Sequence, residues 1–367
     1  MADTDITFEQ RAQGAIMGAY IGDALALGPH WYYDLDALHR AYGNWITDYT
    51  DPQPDRYHAG LKAGQSSQAG YILDLLVRSL AEKGQYDEAD FCQRLDDELF
   101  ARIDGTPMNG PGGYTSQSIR EAWRLRVREH QPWGRVSGLA DTTEAAERIM
   151  ALAVRYAWQP TALAQLASTN TALTQHDTTV MAMTVAYACV LGSLVRGEPL
   201  DAQTSERLMQ RVHDGSLPFH AVTRAGEQTP PVGPETPRHA GQFPSPDALL
   251  TASCIVRAAT DPDIRIEPAW KASLVYGMPC AVYHQFPAAY YLAGRFQGNF
   301  EQAVLNAVNG GGQNQARAIL TGALAGAIGG IQAIPDRFIE GLEHHEQRLA
   351  WAAQIAKQAQ QVPQKEI

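Results

Sequence analysis

The hydrophobic positions of this 367-residue chain recur every three to four residues, and no stretch alternates with period two. Phe8 to Leu27 carries apolar or small residues at helical spacing, with Gly14, Gly18 and Gly22 on one face and Asp23 directly after them. Gly28-Pro29 ends that helix. Gly64 to Leu80 reads as a helix whose first turn is Ser66, Ser67 and Gln68, and Asp87 to Ile103 as an amphipathic one with Phe91, Leu95, Leu99 and Phe100 inward. Asp141 or Thr142 can cap a further helix, with Glu144 in its first turn and Arg148 placed either for an i,i+4 ion pair with it or for an anion contact. Helical patterning continues from Thr161, through Thr178–Val195, Ala248–Ala259, Trp270–Phe286, Ala288–Arg295 and Phe300–Val308. Near the end, Arg317 to Gly330 is an apolar run in which Gly322, Gly326 and Gly330 step every four residues. That face matches the one on the first helix, so the two can pack backbone to backbone. The expected fold is mainly α, with no linker that splits residues 1–367 into independent domains and a surface excursion at about 214–247 that holds seven of the 21 prolines.

Composition narrows the class of partner. A net charge of −11 and a pI near 5.4 leave no basic excess for nucleic acid or acidic membranes, and room only for a local basic pocket. Cys92, Cys189, Cys254 and Cys280 are widely separated and read as reduced core thiols. The first residues lack a positive segment followed by an apolar core, so no secretory signal is expected and the location expected is cytoplasmic. Thr178–Val195 and Ala318–Pro335 are uncharged but rich in Ala, Gly and Thr, which fits buried helices better than membrane spans.

Candidate chemistry collects at helix ends. The run Asn309-Gly310-Gly311-Gly312-Gln313-Asn314-Gln315-Ala316 lets backbone approach a ligand closely and leads into a helix with free N–H groups, a ready anion cradle. Around the end of the first helix stand Asp23, His30, Trp31, Tyr32, Tyr33 and Asp34, read either as packing and caps or as one wall of a polar pocket. Ser66, Ser67 and Gln68 are either caps or site residues. The loop Asp104 to Tyr114, with Asn109 and Tyr114, is too rich in Gly and Pro for regular structure and suits a site wall or lid. His176-Asp177 is an N-cap or an acid/base pair. No P-loop, strand-bounded GxGxxG, GxSxG or HExxH is present.

Taken together, Gly14-Ala-Ile-Met-Gly-Ala-Tyr-Ile-Gly-Asp23-Ala-Leu, Thr174-Gln-His176, and Gly312 through Gly-Ala-Leu-Ala-Gly-Ala-Ile-Gly329 to Ile334-Pro335 resemble the ADP-ribosylglycohydrolase family, which includes the J-type crystallins. The resemblance covers most of the chain. It implies one compact all-α multi-helix bundle over residues 1–367, in which the first glycine-stepped helix, the helix from Ser66 and the late glycine-stepped helix meet under a cleft. Active members hold two magnesium ions between a Thr-Asp-Asp run and an Asp-x-Asp-Thr run. Here those runs fall on Ser66-Ser67-Gln68 and Gln313-Asn314-Gln315-Ala316, so all four matching carboxylates are absent, and an acid near the first motif is replaced by His30. Magnesium needs anionic oxygen to offset its dehydration. The expectation is a member with no metal ligands and no cofactor.

The function expected on these grounds is binding, with or without hydrolysis, of an ADP-ribose-like or other glycosidic small molecule, metal-free. Asp23, His30, Asp34, His176 and Asp177 are the acid/base candidates. Ser66, Ser67, Gln68, Asn109, Tyr114, Gly311, Gly312, Gln313, Asn314 and Gln315 are the substrate-binding candidates. The alternatives are a non-catalytic ligand-binding or crystallin-like structural relative, and a different metal enzyme in which His30, His176 or His284 converges with an acid.

Overall fold

A computed structural model describes residues 6–219 and 247–361, so the proline-rich excursion expected at 214–247 falls almost wholly outside the described residues. These form sixteen α-helices and no sheet: α1 (Phe8–Leu27), α2 (Leu35–Tyr42), α3 (Gln68–Lys83), α4 (Glu88–Arg94), α5 (Gln117–Trp123), α6 (Met150–Arg155), α7 (Pro160–Ala172), α8 (Thr178–Val195), α9 (Thr204–His213), α10 (Asp247–Thr260), α11 (Ala272–Tyr276), α12 (Val282–Arg295), α13 (Phe300–Asn309), α14 (Asn314–Gly329), α15 (Asp336–Glu340) and α16 (His345–Gln360). Three isolated antiparallel or parallel bridges, Tyr32 with Gly312, Gly138 with Gln175 and Thr142 with Ala281, tie the connecting segments together.

The matched glycine faces meet as expected. α1 and α14 run antiparallel with no side chain between them: a Cβ on Gly14 would lie 2.2 Å from the Gly326 carbonyl oxygen, one on Gly18 2.1 Å from that of Gly322, and one on Gly22 2.2 Å from that of Ala318. Any larger residue there must push the helices apart. Arg11 closes the far end by donating to Ala327 O and Ile328 O at 3.0 and 2.8 Å. α14 is buried along nearly its whole length, which its all-round apolar pattern requires, and the Tyr187 hydroxyl of α8 donates to Leu320 O at 2.8 Å. α8 is long and apolar enough to cross a membrane, yet 78% of it is buried inside the protein.

The structure departs from the sequence expectations at several places: α3 begins at Gln68 rather than Gly64, and the helix expected over Asp87–Ile103 is α4 followed by a π-helical turn at Leu95–Leu99 and a 3-10 turn at Phe100–Arg102. Segment 141–149 is not the first part of an α-helix. Thr142 is held in its bridge to Ala281, only a 3-10 turn forms at Ala146–Arg148, and α6 begins at Met150. Arg148 makes no ion pair with Glu144; it is buried and donates to Asn170 Oδ1, Asn170 O and Thr174 Oγ1. The helix expected over Trp270–Phe286 breaks at Gly277, whose φ of 119° lies outside the helical region, and α12 then runs straight through Pro287. Cys92 and Cys189 are buried as expected, but Cys254 is exposed and Cys280 half-buried; all four are free thiols.

Candidate functional site

The start of α3 is built onto α1 by one carboxylate. Ser67 caps α3, its hydroxyl accepting from Ala69 N at 3.0 Å. The same hydroxyl donates to Asp23 Oδ1 at 2.5 Å, and Ser67 N donates to Asp23 Oδ2 at 2.9 Å. Gly70 leaves space for this carboxylate, since a Cβ there would lie 2.1 Å from Oδ2. Asp23 is fully buried, and burial raises its pKa to about 6 against the lowering by the Ser67 bonds. The 104–114 loop closes over this turn. Gly112, at φ 75°, sits so near α3 that a Cβ would lie 2.0 Å from Gln68 N.

The start of α14 is held from the other side. Gly312 N donates to Tyr32 O at 2.7 Å, Trp31 N donates to Gly312 O at 3.1 Å, and Gln313 N donates to Met278 O at 2.8 Å. The glycine loop is thus stitched to protein carbonyls, and the N–H groups of Gly312 and Gln313 are not turned to a ligand. From behind, the buried Arg317 guanidinium donates to Ala307 O at 3.0 Å and Gly311 O at 2.6 Å. Trp31 itself takes a φ of 65°, an uncommon conformation for a non-glycine residue, secured by this pairing. Its ring meets Tyr114 edge-on at 4.3 Å and Tyr57 at 4.8 Å, an aromatic trio beside the pocket.

A chain of buried imidazoles joins the two helix starts. His58 Nδ1 lies 2.9 Å from Gly112 O, His58 Nε2 lies 2.7 Å from His30 Nδ1, and His30 Nε2 lies 2.5 Å from the Gln313 amide oxygen as placed. Burial lowers the pKa of His58 to about 4 and that of His30 well below the ordinary range, so both rings are neutral at pH 7. A carbonyl can only accept, so His58 donates from Nδ1 and accepts at Nε2 from His30 Nδ1. Neutral His30 is then an acceptor at Nε2 and needs the Gln313 NH2, a half-turn of the amide, whereas a protonated His30 would need the oxygen.

Between the helix starts lies a cavity of about 90 Å³ whose lining includes His30, Gln68, Tyr114, Gln313 and Gln315. Gln68 Nε2 donates to Thr115 Oγ1 at 2.9 Å, but buried Gln68 Oε1 and buried Gln315 Nε2 have no partner. The lining also includes two acids absent from the catalytic candidates read in the sequence, Glu144 and Glu147. Glu144 is half-buried and accepts from Thr142 Oγ1; Glu147 is buried and accepts from Thr143 Oγ1 at 2.6 Å. Burial raises both, and the charge of Glu144 adds to the rise of Glu147, to about 8. Their segment is shaped by Gln175, fully buried, which donates to Ala140 O at 2.9 Å and Thr142 O at 2.8 Å and accepts from Ala145 N at 2.9 Å. The middle residue of Thr174-Gln175-His176 is therefore a scaffold for the acidic wall.

The remaining expected residues stand elsewhere. Asp34 is exposed and caps α2 through Asp36 N and Ala37 N; Asp177 caps α8 through Thr179 N and Val180 N. His176 is exposed, its Nδ1 at 3.0 Å from Ser137 O. Ser66 accepts from Arg348, exposed Asn109 donates to Asp104, and buried Asn314 donates to Pro29 O and Val308 O. His284 lies 2.6 Å from Tyr276 O and does not join His30. Of the acid/base candidates, the structure brings only Asp23 and His30 to the two helix starts.

The donor set at the positions matching the family's acidic runs is neutral. The Ser67 hydroxyl is committed to Asp23, and Gln68, Gln313 and Gln315 offer only amides. Among the described residues no three His, Cys, Asp or Glu side chains are placed to hold a metal ion together. These residues do not fit a dinuclear magnesium centre, whose cations need anionic oxygen.

The all-α architecture packs two glycine-stepped helices, α1 and α14, directly together and places a polar pocket between the starts of α3 and α14. The chain belongs to the ADP-ribosylglycohydrolase family, whose sequence profile matches residues 4–365. An uncharacterized protein of Archaeoglobus fulgidus is 25% identical over 338 residues, covering 92% of this chain and 93% of that protein. The solved structure of an ADP-ribosylglycohydrolase-related protein complex superposes with a TM-score of 0.61 at 19% identity, covering 96% of this chain and 99% of that one, and so shares the fold.

Proposed function

We propose that this chain binds an ADP-ribose-like or other glycosidic small molecule between α3 and α14 without the family's dinuclear magnesium centre, and cleaves its glycosidic bond with Glu147 and Glu144. The observation that carries the reading is the pair of unpartnered buried amide atoms, Gln68 Oε1 and Gln315 Nε2, an acceptor and a donor on two residues that line one cavity. Each buried polar atom left unpaired costs roughly 1–3 kcal/mol, which a hydroxylated ligand recovers by bonding to both. Glu147 is uncharged at neutral pH and is the group able to protonate the leaving atom; Glu144 takes a proton from the attacking water. The Thr143 hydroxyl, already bonded to Glu147, stabilises the carboxylate that forms. Solvent then returns the proton from Glu144 to Glu147. The acidic net charge supports a small-molecule ligand rather than nucleic acid or a membrane surface, and a cytoplasmic setting belongs to the same proposal.

One observation favours a non-catalytic, structural relative: the Gly312 and Gln313 N–H groups and both His30 nitrogens are already engaged within the protein. Thermal melting separates the readings. ADP-ribose in EDTA is expected to raise the melting temperature by several degrees, with no further rise on adding magnesium. A shift that appears only with magnesium sinks the metal-free claim, and no shift with ADP-ribose or other nucleotide sugars leaves the structural reading.

A further inference from the structure

Two hydrogen-bond relays start on main-chain carbonyls of the 104–114 loop and end at the pocket. In the first, Gly112 O accepts from His58 Nδ1 and His58 Nε2 from His30 Nδ1; with both rings neutral, His30 Nε2 accepts from the Gln313 NH2. Every donor in the row points back to the loop. In the second, Thr115 Oγ1 donates to Asn109 O at 3.4 Å, which leaves the same oxygen to accept from Gln68 Nε2 at 2.9 Å. An amide whose nitrogen is committed to a relay has only its oxygen to offer, so Gln68 and Gln313, at two different helix starts, both offer acceptors. Gln68 Oε1 is buried and unpartnered, and the second amide atom of Gln313 makes no hydrogen bond among the described residues. Gln315, with no relay behind it among those residues, supplies a donor, its buried Nε2. The one cation among the described lining residues, Arg120, donates to Thr115 O and Tyr114 OH, and Glu144 adds a further acceptor.

A hydroxyl rotates to suit either polarity, so it is accepted here but not selected. A primary carboxamide is selected: its two N–H donors and one carbonyl, fixed in a plane, complement two oxygens and one N–H. An ammonium or guanidinium group, having no acceptor, leaves Gln315 Nε2 unpaired. Trp31 and Tyr114, in edge-on contact at 4.3 Å, line the same cavity and suit a flat ring beside the amide.

We propose that the amide wall is a carboxamide subsite: Gln68 and Gln313 accept from the N–H groups of an aromatic primary carboxamide, and Gln315 donates to its carbonyl. Thr115, His58 and His30 are positioning residues, through which the 104–114 loop fixes the polarity of the wall. The assignment rests on the reading above that a ligand enters this cavity, and it names the chemistry of the part that meets α3 and α14.

The test is NMR titration of the full chain in EDTA with benzamide, with acetophenone, in which a methyl replaces the NH2, and with benzyl alcohol. Benzamide is expected to bind at least about tenfold more tightly than either. Thr115→Val keeps the shape of a buried side chain outside the cavity lining, cuts the second relay and frees Gln68 to turn. It should reduce the preference for benzamide over acetophenone by about threefold or more, with acetophenone binding unchanged. Imidazole nitrogen shifts of wild type should place the proton on Nδ1 in both His58 and His30; if Thr115→Val does not fold, these and the wild-type titrations decide. A proton on His30 Nε2, equal binding of benzamide and either control, or an undiminished preference in a folded Thr115→Val overturns the proposal. ADP-ribose titrated alongside separates it from the reading it rests on. If ADP-ribose binds and benzamide does not, the carboxamide subsite alone falls. If benzamide binds with the stated preference and ADP-ribose does not, the subsite stands and ADP-ribose falls as the ligand; if neither binds, both fall.

Discussion

The two walls of the pocket were made in different ways. One wall, at the starts of α3 and α14, is regular: its side chains sit at helix ends fixed by a cap or a stitched loop, and its groups are amides, a hydroxyl and the His30 imidazole, with Asp23 bonded behind Ser67. The other wall is the irregular segment 141–149, pinned by a bridge and by Gln175, and its groups are carboxyls. In the family pattern the acids belong to the first wall. Here the helix starts present neutral amides, and the two glutamates that line the same pocket come from the irregular segment.

That contrast can be broken most directly at Glu147. Glu147→Gln keeps the shape of the acidic wall but removes the proton, so turnover of the proposed glycoside should fall by about 10²- to 10⁴-fold with binding retained. A variant that keeps its rate would return the chemistry to the amide wall. Next in size is Gln175→Leu. It strips three buried backbone groups of their partner, which should destabilise the protein by about 3 kcal/mol in denaturant unfolding and lower kcat without equal loss of binding. Unchanged stability would mean that the 140–145 segment holds its own shape.

Gln315→Leu probes the amide wall and should behave in the opposite sense. It removes an unpartnered buried donor, so the unliganded protein should be as stable as wild type or more so, while ligand affinity drops about tenfold. A large loss of stability would show that Gln315 is structural. The smallest effect is the pH dependence. Glu147, raised from 4.5 to about 8, keeps its proton in the folded state where the unfolded chain has lost it, so its contribution is complete at low pH and declines as pH rises towards 8. His58, lowered from 6.5 to about 4, acts the other way and only as pH falls below 6.5. Between pH 6.5 and 8 the melting temperature should therefore decline in wild type and stay level in Glu147→Gln.

The same contrast explains what the sequence allowed one to read. The amide wall was legible because its residues lie in registers that backbone rules govern: Ser67 as an N-cap, Gly14, Gly18 and Gly22 facing Gly322 and Gly326, Gln313 and Gln315 flanking a helix start. The acidic wall was not. Glu144 and Arg148 stand four apart, and local spacing reads as a surface ion pair; only the distant Gln175 and Ala281, through bonds that spacing cannot reveal, turn the segment inward. Asp34 and Asp177 illustrate the converse, acids whose capping of α2 and α8 follows from local sequence position. His58 was missed altogether, since it lies in a loop with no periodicity and acquires its role only by touching His30.

The direct backbone contact of α1 with α14 also sets how this site can respond to what enters it. A joint with no side chains between its halves has no rotamers to rearrange, so the distance between Asp23 on one helix and Gln315 on the other is fixed by main chain alone. Any fitting around a ligand falls to the non-helical segments 104–114 and 138–145, which are tied to the rest by side-chain bonds and isolated bridges. The enclosure then works as a rigid jamb with a compliant door, and in hydrogen exchange the jamb should open only when the whole protein does.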